Sequence, residues 1–305
     1  MDKEYQLIIL GGGPAALTAG IYAARSRLKT LLIEKSMLGG LIANAEWVEN
    51  FPGFPDGISG LELAGLMQKQ AEKFGIVTLY AEVTGLEVLG KQKIVKTTEG
   101  DFLARAVIIA CGSERINLNV PGEKEFTGRG VSYCATCDAA FFKDRPVAVV
   151  GGGNSAISEA LHLAKFSSRV TVIHRRDQLR ASRIVEEKAR SEPKIDFIWN
   201  TIVEAIEGTE TVERLRLNNV ITGLKTDFPV KGVFISIGQR PNTAFLRGVV
   251  DLDANGYVIT NEKMETSVPG ILAAGDIRAN SIRQTISAAG DGATAAVYAE
   301  RYLLG

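Results

Sequence analysis

The fold is decided by the stretch QLIILGGGPAA at residues 6–16, which recurs near the middle of the chain as VAVVGGGNSA at residues 147–156. Each copy is a continuous apolar run that ends in the pattern G-x-G-x-x-A. A continuous apolar run of this length predicts a strand that is buried on both faces of a parallel sheet. The chain therefore repeats one structural device.

The segments that follow each glycine cluster complete a β-α-β unit. Helical patterns at residues 17–25 and 157–166 come next, and further apolar runs follow at 30–33 and 170–173. We expect an α/β protein with two Rossmann-like dinucleotide-binding domains. The length of 305 residues also favours two domains over a single core.

The small residues of the two clusters have defined tasks in dinucleotide binding. The first glycine allows a tight turn, the second lets a pyrophosphate approach the backbone, and the small third residue lets the helix pack on the strand. The pyrophosphate then lies at the N-terminus of the helix, where free N–H groups favour an anion. One such motif is weak evidence, because glycine turns are common in α/β proteins, but two copies in full context are stronger.

The residue at the end of the second strand distinguishes the two sites. In the first copy it is Glu34, whose carboxylate suits the ribose hydroxyls of FAD or NAD and would repel a 2′-phosphate. In the second copy it is His174, followed by Arg175, Arg176 and Arg180. These cations suit the 2′-phosphate of NADPH, since guanidinium groups match phosphate geometry. The alternative for the arginines is a solvated surface patch.

Composition excludes several classes of function. Lys plus Arg and Asp plus Glu number 35 each, so the formal net charge is zero and a nucleic-acid partner is not expected. No apolar run reaches the length of a membrane span. The first residues lack the pattern of a signal peptide, so we expect a cytoplasmic protein that does not associate with membranes.

The cysteines point to redox chemistry rather than to a metal. Cys134 and Cys137 are spaced C-x-x-C, which lets one thiolate attack a disulfide and the other resolve it. The sequence also suggests that the pair opens a short helix, and the adjacent Asp138 could carry a proton. Half a metal site, two buried cysteines and a structural disulfide are the alternatives. No second pair of ligands at metal-site spacing is present in the sequence, so no metal is expected. Cys111 ends an apolar run and is interpreted as packing.

The C-terminal part contains a small-residue strand pattern at 270–276 that ends at Asp276. Arg283-Gln284 and a run of small residues at 287–293 follow it. Small residues after the end of a strand allow a flat cofactor to come close to the backbone. From these residues alone, a flavin is permitted but not identified.

Taken in order, the motifs resemble the small bacterial and archaeal thioredoxin reductases, a family of pyridine nucleotide-disulfide oxidoreductases. The run Cys134-Ala135-Thr136-Cys137-Asp138 is highly specific for that family. The resemblance implies an FAD site at Gly11, Gly13, Pro14, Ala15, Ala16, Glu34, Lys35, Gly40, Leu41, Asn50, Ala110, Gly112, Gly275, Asp276, Arg283 and Gln284. It implies an NADPH site at Gly151, Gly153, Asn154, Ser155, His174, Arg175, Arg176, Arg180, Ile237 and Gly238.

The resemblance also implies an FAD domain at residues 1–115 and 243–305, an NADPH domain at 116–242, and a homodimer. Electrons would pass from NADPH through FAD to the disulfide, with Cys137 nearer the flavin and Asp138 as proton donor and acceptor. Cys134 would then attack the disulfide of thioredoxin or a thioredoxin-like protein.

Three positions depart from the family pattern: Leu41 replaces a usual glutamine, Cys111 a threonine and Ala139 a glycine. Other readings stay open at this point. The same relay could serve a different thioredoxin-like or peroxide-reducing acceptor. A flavin dithiol oxidase, a ferredoxin-fed relative and a non-catalytic flavin sensor are further alternatives.

Overall fold

The structure is a computed structural model that describes residues 3–45 and 47–305. Its strands are β1 (Glu4–Leu10), β2 (Thr30–Glu34), β3 (Val77–Tyr80), β4 (Val83–Leu89), β5 (Gln92–Thr97), β6 (Gly100–Ile109), β7 (Ser113–Arg115), β8 (Val131–Ser132), β9 (Pro146–Val150), β10 (Arg169–Ile173), β11 (Ile195–Ile198), β12 (Thr201–Gly208), β13 (Val212–Asn219), β14 (Lys225–Pro229), β15 (Gly232–Ile235), β16 (Gln239–Pro241) and β17 (Ile271–Ala273). Its α-helices are α1 (Pro14–Arg25), α2 (Gly60–Lys73), α3 (Ala135–Asp138), α4 (Asn154–Leu163), α5 (Arg183–Ser191) and α6 (Thr285–Leu304).

The chain folds into two compact units. Unit 1 comprises Met1–Glu114 and Arg240–Gly305, and unit 2 comprises Arg115–Gln239. The chain passes from one unit to the other within the short strands β7 and β16. Each unit contains one copy of the repeated glycine motif, so each has its own β-α-β core.

Unit 1 is built on a sheet with strand order β3-β2-β1-β6-β5-β4. Strand β6 is its centre: its last residues pair in parallel with β1 and β17, and its first residues pair antiparallel with β5. Leu7 and Ile9 face one apolar cluster with α1, α2 and α6, whereas Ile8 and Leu10 face a second cluster. The strand is therefore buried on both faces, as its apolar run predicts.

Unit 2 contains a parallel sheet with strand order β11-β10-β9-β15-β8. One of its faces packs against α3, α4 and α5. The other face packs against the antiparallel sheet β12-β13-β14. The prediction of two Rossmann-like α/β folds is confirmed. In the described part of the chain, no helix is long and apolar enough to cross a bilayer.

The helices of the two β-α-β units begin earlier than the sequence pattern predicts, and the second also ends earlier, whereas α1 ends at Arg25 as predicted. Both start directly after the last glycine of the cluster, at Pro14 and Asn154, because a glycine serves as the N-cap in each case. The α4 helix ends at Leu163 rather than at Phe166. The N–H groups of Lys165 and Phe166 bond to carbonyls three residues back, which tightens the chain into a turn.

Close packing of α6 on α1 depends on glycine at position 292. A Cβ atom there would lie 2.1 Å from the carbonyl oxygen of Ala15, which belongs to the helix backbone and cannot swing away. Ala295 and Ala299 extend this contact and are fully buried. The small side chains of α6 therefore let two helix backbones approach each other beside the first glycine turn.

We expect Gly292→Ala to destabilise the protein by about 1–3 kcal/mol, because the added methyl group overpacks the contact with Ala15. Urea unfolding of the apoprotein measures the change. Gly290→Ala is the matched control in the same helix, since a Cβ atom there meets nothing within 4 Å. It should be neutral or stabilising through helix propensity. Equal unfolding midpoints for the two variants would contradict the packing argument.

Candidate active site

The first glycine turn of unit 1 is shaped for a close backbone approach. Gly11 has φ of 109°, and a Cβ atom there would lie 2.4 Å from the carbonyl oxygen of Ala110. Gly13 is open by contrast: its nearest neighbour is Gly40, with the would-be Cβ 4.0 Å from its Cα. No side chain caps the N-terminus of α1 at Gly13. The turn thus offers uncapped N–H groups beside open space, which fits a pyrophosphate.

Glu34 lies next to this turn. A Cβ atom on Gly12 would be 2.8 Å from the Glu34 Cγ, so the end of β2 meets the glycine loop. Glu34 Oε1 accepts hydrogen bonds from the backbone N–H of Ser36 at 2.9 Å and from its hydroxyl at 3.2 Å. Lys35 instead forms an exposed ion pair with Glu114 at 3.3 Å. Of these two residues, Glu34 is the one placed to accept bonds from ribose hydroxyls.

Gly39 and Gly40 pack against the same glycine turn. Gly39 donates its N–H to the carbonyl of Gly12 at 2.8 Å, and a Cβ atom on Gly40 would lie 3.1 Å from the Gly13 Cα. Leu41 follows in a short 3-10 helix, Gly40–Asn44, and is half-buried. The loop after β2 is therefore held against the pyrophosphate turn by its backbone.

Residues near the C-terminus pack against this region of unit 1. Gly275 lies beside the first helix, since its would-be Cβ is 3.0 Å from the Ala15 Cβ. Asn50 donates to Gln284 Oε1 at 3.1 Å, which connects the loop at residue 50 to the start of α6. Ala16 is fully buried under the turn. The structure thus brings together candidates from both ends of the chain.

Asp291 and Arg278 were missed by the sequence interpretation of this site. Asp291 Oδ2 accepts from the Gly275 N–H at 3.1 Å and from Arg278 Nη1 at 2.6 Å. Arg278 also donates through Nε to the hydroxyl of Thr260 at 2.8 Å. Both charged side chains are largely buried. The Asp291–Arg278 pair holds the loop that carries Asp276. The sequence did not predict this pair, because the two residues are far apart along the chain.

The same loop positions two further candidates. Asp276 Oδ1 accepts a hydrogen bond from Ser281 at 3.3 Å. Arg283 has a left-handed backbone, with φ of 58°, and donates to the hydroxyl of Tyr257 at 3.0 Å. Its guanidinium carbon also lies 5.2 Å from the Tyr257 ring centroid. Arg283 is therefore anchored just before α6.

Cys111 lies between Ala110 and Gly112, two of the candidate FAD residues. Its Sγ is 3.4 Å from the Leu10 carbonyl oxygen, to which it donates. Burial, with a smaller contribution from the Glu34 carboxylate, raises the pKa of this thiol to about 12. Asn242 binds the carbonyl oxygens of Cys111 at 2.9 Å and Gly112 at 3.1 Å. The thiol stays protonated, which supports the interpretation as packing.

The second glycine turn repeats this geometry in unit 2. A Cβ atom on Gly151 would lie 2.3 Å from the Ser236 carbonyl oxygen, and Gly153 is open, with nothing within 4 Å. No side chain caps α4. Arg180 donates its N–H to the Gly152 carbonyl at 2.6 Å, the counterpart of the Gly39 bond in unit 1. Arg180 is thus fixed beside the turn.

The structure differs from the sequence interpretation on the role of His174. Its ring lies under the glycine turn, with a would-be Cβ on Gly152 only 2.3 Å from its Cε1. Burial lowers the pKa of His174, and the positive charges of Arg180, Arg176 and Arg175 lower it further. The imidazole is therefore neutral near pH 7, while the three arginines are exposed. The positive charge at this position belongs to the arginines.

The remaining nucleotide candidates of unit 2 lie around the same strand ends. Asn154 uses its side-chain oxygen to accept from the Ser182 N–H at 2.8 Å, while Ser155 is exposed at the start of α4. Gly238 has φ of 126° and accepts from the Ile116 N–H at 3.1 Å, and Ile237 is partly buried. Asn154 is exposed and uses its side-chain oxygen to hold the segment that follows the arginines.

Glu159 of α4 was also missed by the sequence interpretation. Burial raises the pKa of its carboxyl to about 7, against the effects of a hydrogen bond with Ser236 and the charge of Arg115. Its Oε2 is buried and has no hydrogen-bond partner among the residues the structure describes. A glutamate inside a helix pattern gives no sign of such burial, so the sequence could not single it out.

Cys134 and Cys137 form a disulfide, with their Cα atoms 5.3 Å apart. Cys134 is the N-cap of α3, and its Sγ accepts from the Cys137 N–H at 3.2 Å. The prediction that the pair opens a short helix is confirmed. Cys137 is exposed and Cys134 half-buried. Among the described residues, no cluster of His, Cys, Asp and Glu could hold a metal ion.

The side chains around the disulfide are held by neighbouring strands and turns. Asp138 accepts a hydrogen bond at Oδ2 from the Ser132 hydroxyl at 2.5 Å. Tyr133 donates its hydroxyl to Glu123 at 2.9 Å, and Glu123 also accepts from the N–H groups of Leu118 and Asn119. Ser132 and Glu123 were not identified from the sequence, because nothing in their spacing marks them.

Glu159→Gln should change how stability depends on pH. A folded pKa of about 7 against an ordinary value of 4.5 means that the stability contributed by Glu159 is full below pH 4.5 and is lost as pH rises through 7. The variant lacks this loss, so relative to wild type it should gain up to about 3 kcal/mol between pH 4.5 and 8. Urea unfolding across this pH range measures the difference.

The exposed Glu187→Gln removes the same charge at the surface of unit 2 and should follow the wild-type pH curve. A constant difference between Glu159→Gln and wild type at every pH would show that folding does not raise the pKa of Glu159.

Comparison with known proteins agrees with this geometry. The chain matches the pyridine nucleotide-disulphide oxidoreductase family over residues 5–292. A thioredoxin reductase of Bacillus subtilis (strain 168) is 47% identical over 305 residues, which cover 99% of this chain and 96% of the relative. One of Peptoclostridium acidaminophilum is 43% identical over 309 residues, with coverages of 99% and 98%. The crystal structure of thioredoxin reductase from Streptococcus pyogenes MGAS5005 is 44% identical, with a TM-score of 0.96 and coverages of 100% and 99%.

A family match over most of the length, together with two glycine turns and a C-x-x-C disulfide, has one consistent explanation: the chain belongs to the pyridine nucleotide-disulphide oxidoreductase family.

Proposed function

We propose that this protein is an NADPH-dependent thioredoxin-disulfide reductase, which uses FAD and the Cys134–Cys137 disulfide to reduce thioredoxin. The observation that carries the proposal is the disulfide at the start of α3, within the same unit as a glycine turn flanked by exposed arginines. The thioredoxin reductases that share 43–47% identity with it over nearly the whole chain support this acceptor.

The residues of unit 1 fit FAD. The open turn at Gly13 would receive the pyrophosphate, Glu34 the adenosine ribose, and the loop of Asp276 and the start of α6 the isoalloxazine end of the cofactor. In unit 2, the open turn at Gly153 would receive the pyrophosphate of NADPH and the arginines its 2′-phosphate. When bound, the two cofactors supply hydride transfer and electrons for disulfide reduction.

The cysteines and Asp138 would carry out the exchange. Two electrons break the S–S bond between Cys134 and Cys137, and Asp138 donates the proton that converts the departing thiolate to a thiol. Cys134 then attacks the disulfide of thioredoxin, and Cys137 resolves the mixed disulfide by forming a bond with Cys134. Thioredoxin leaves as a dithiol that carries the two electrons, and the enzyme disulfide is restored.

We further propose that the protein works as a cytoplasmic homodimer. The zero formal net charge gives no general attraction to nucleic acid or to an anionic membrane. Sedimentation of the FAD-loaded protein would test the oligomeric state, and a monomer over a wide range of concentration would exclude the dimer.

The first experiment is an anaerobic titration of the FAD-loaded protein with NADPH, followed by absorbance. The flavin should bleach with an uptake of electrons for both the flavin and the disulfide, and addition of oxidised thioredoxin should restore the colour. A flavin that stays oxidised in NADPH would exclude this function.

Replacing Arg176 and Arg180 with alanine should raise the KM for NADPH by about tenfold or more and leave the KM for NADH almost unchanged. The reason is that each guanidinium loses a charge-assisted hydrogen bond to the 2′-phosphate, which NADH lacks. Steady-state kinetics with both nucleotides provides the measurement. Arg190→Ala, an exposed arginine of α5 paired with Glu186, is the matched control and should not alter selectivity. Parallel losses with both nucleotides would refute this role.

Cys134→Ser and Cys137→Ser should each retain bleaching of the flavin by NADPH but lower thioredoxin reduction by more than about a hundredfold, because one thiol cannot complete the exchange. Cys111→Ser serves as the control and should keep wild-type turnover. Substantial thioredoxin reduction by either single variant of the pair would rule out the disulfide as the electron carrier.

A further inference from the structure

Ser132 is buried beside the redox disulfide, with 4% of its surface exposed. It ends β8, which pairs in parallel with β15 through Val131 with Val233 and Ser132 with Phe234. The position of its side chain is therefore set by the parallel sheet and not by the cysteine turn. The Ser132 hydroxyl is therefore held in place by the sheet while it hydrogen-bonds to Cys134 and Asp138.

Three polar atoms surround the Ser132 hydroxyl. The Cys134 N–H donates to Oγ at 3.1 Å, Oγ donates to Asp138 Oδ2 at 2.5 Å, and the Cys134 carbonyl oxygen lies at 3.5 Å. A serine has one hydroxyl proton and can accept two hydrogen bonds. Because the Cys134 N–H already donates to Oγ, the single hydroxyl proton can be donated either to the Asp138 carboxylate or to the Cys134 carbonyl.

In the disulfide form, the two distances show which oxygen accepts the serine proton. A separation of 2.5 Å is typical of a hydroxyl bonded to an ionised carboxylate, whereas the 3.5 Å contact with the carbonyl is weak. If Asp138 takes up a proton, its O–H can donate to Oγ, and the serine proton can turn to the Cys134 carbonyl. Ser132 can therefore serve both protonation states of Asp138 without moving.

We propose that Ser132 is a positioning residue that holds the Asp138 carboxylate for proton exchange with the Cys134–Cys137 pair. The proposal rests on the proposed function. When the S–S bond is broken by two electrons, which the flavin would supply, the Asp138 carboxylate takes up a proton from solvent and passes it to the departing thiolate. When the dithiol reduces thioredoxin, the carboxylate accepts the proton of a cysteine thiol and passes it to the departing thiolate of thioredoxin, after which Ser132 donates to the ionised carboxylate again.

Ser132→Ala removes the donor to the carboxylate, which disfavours its ionised form. The acid limb of the pH profile of kcat/KM for thioredoxin should move to higher pH, and the plateau should fall by about tenfold. Ser132→Thr keeps the hydroxyl and should restore the wild-type profile. Ser167→Ala is the control for loss of a buried hydroxyl in unit 2, since Ser167 Oγ has no partner within the described chain, and its profile should not move.

A double-mutant cycle separates positioning from general structural support. In the Asp138→Asn background, Ser132→Ala should add less than about twofold to the loss of activity, because the two residues act as one unit. A full tenfold additional loss, or an unchanged pH profile in Ser132→Ala, would overturn the inference. If Ser132→Ala fails to fold, Ser132→Gly removes the same hydroxyl without adding a thiol beside the disulfide, and the same shift of the acid limb is expected.

Failure of this inference can be told apart from failure of the proposed function. Absence of NADPH-driven thioredoxin reduction in the wild type would reject the function itself. Normal wild-type turnover, with Ser132→Ala matching its pH profile, would reject only the role of Ser132.

Discussion

The structure depends on one constraint that occurs twice: a strand must end so close to its neighbour that a glycine is the only residue that fits. Gly11 lies against the Ala110 carbonyl, and Gly151 lies against the Ser236 carbonyl. Two residues further on, Gly13 and Gly153 are the N-caps of the first helices and leave their N–H groups without a side-chain cap. The two candidate cofactor sites follow from this approach of backbones.

The two sites then differ by what lies beneath the second glycine of each turn. In unit 1 it is the Glu34 carboxylate, which is held by Ser36 and suits ribose hydroxyls. In unit 2 it is His174, which burial keeps neutral, so that the charge is carried by the exposed arginines. Under the proposed function, the same fold would accept two different nucleotides through one change under the turn and a cluster of guanidinium groups beside it.

The redox centre relies on a different kind of support. The disulfide is carried by a helix of only four residues, which is too short to orient reactive side chains by itself. The strand that ends at Ser132 and the buried carboxylate of Glu123 supply the missing rigidity through hydrogen bonds. Reactive sulfurs on a short turn, held by rigid neighbours, can change partners while the surrounding unit keeps its structure.

The sequence by itself determined the β-α-β units, the two nucleotide turns and the redox pair, because these depend on residues close together in the chain. Apolar periodicity, glycine spacing and C-x-x-C are local patterns. Only the tertiary structure revealed the Asp291–Arg278 pair under Gly275, the raised pKa of Glu159 and the neutral state of His174. Each of these depends on burial or on a partner brought from elsewhere in the chain, and long-range packing decides both.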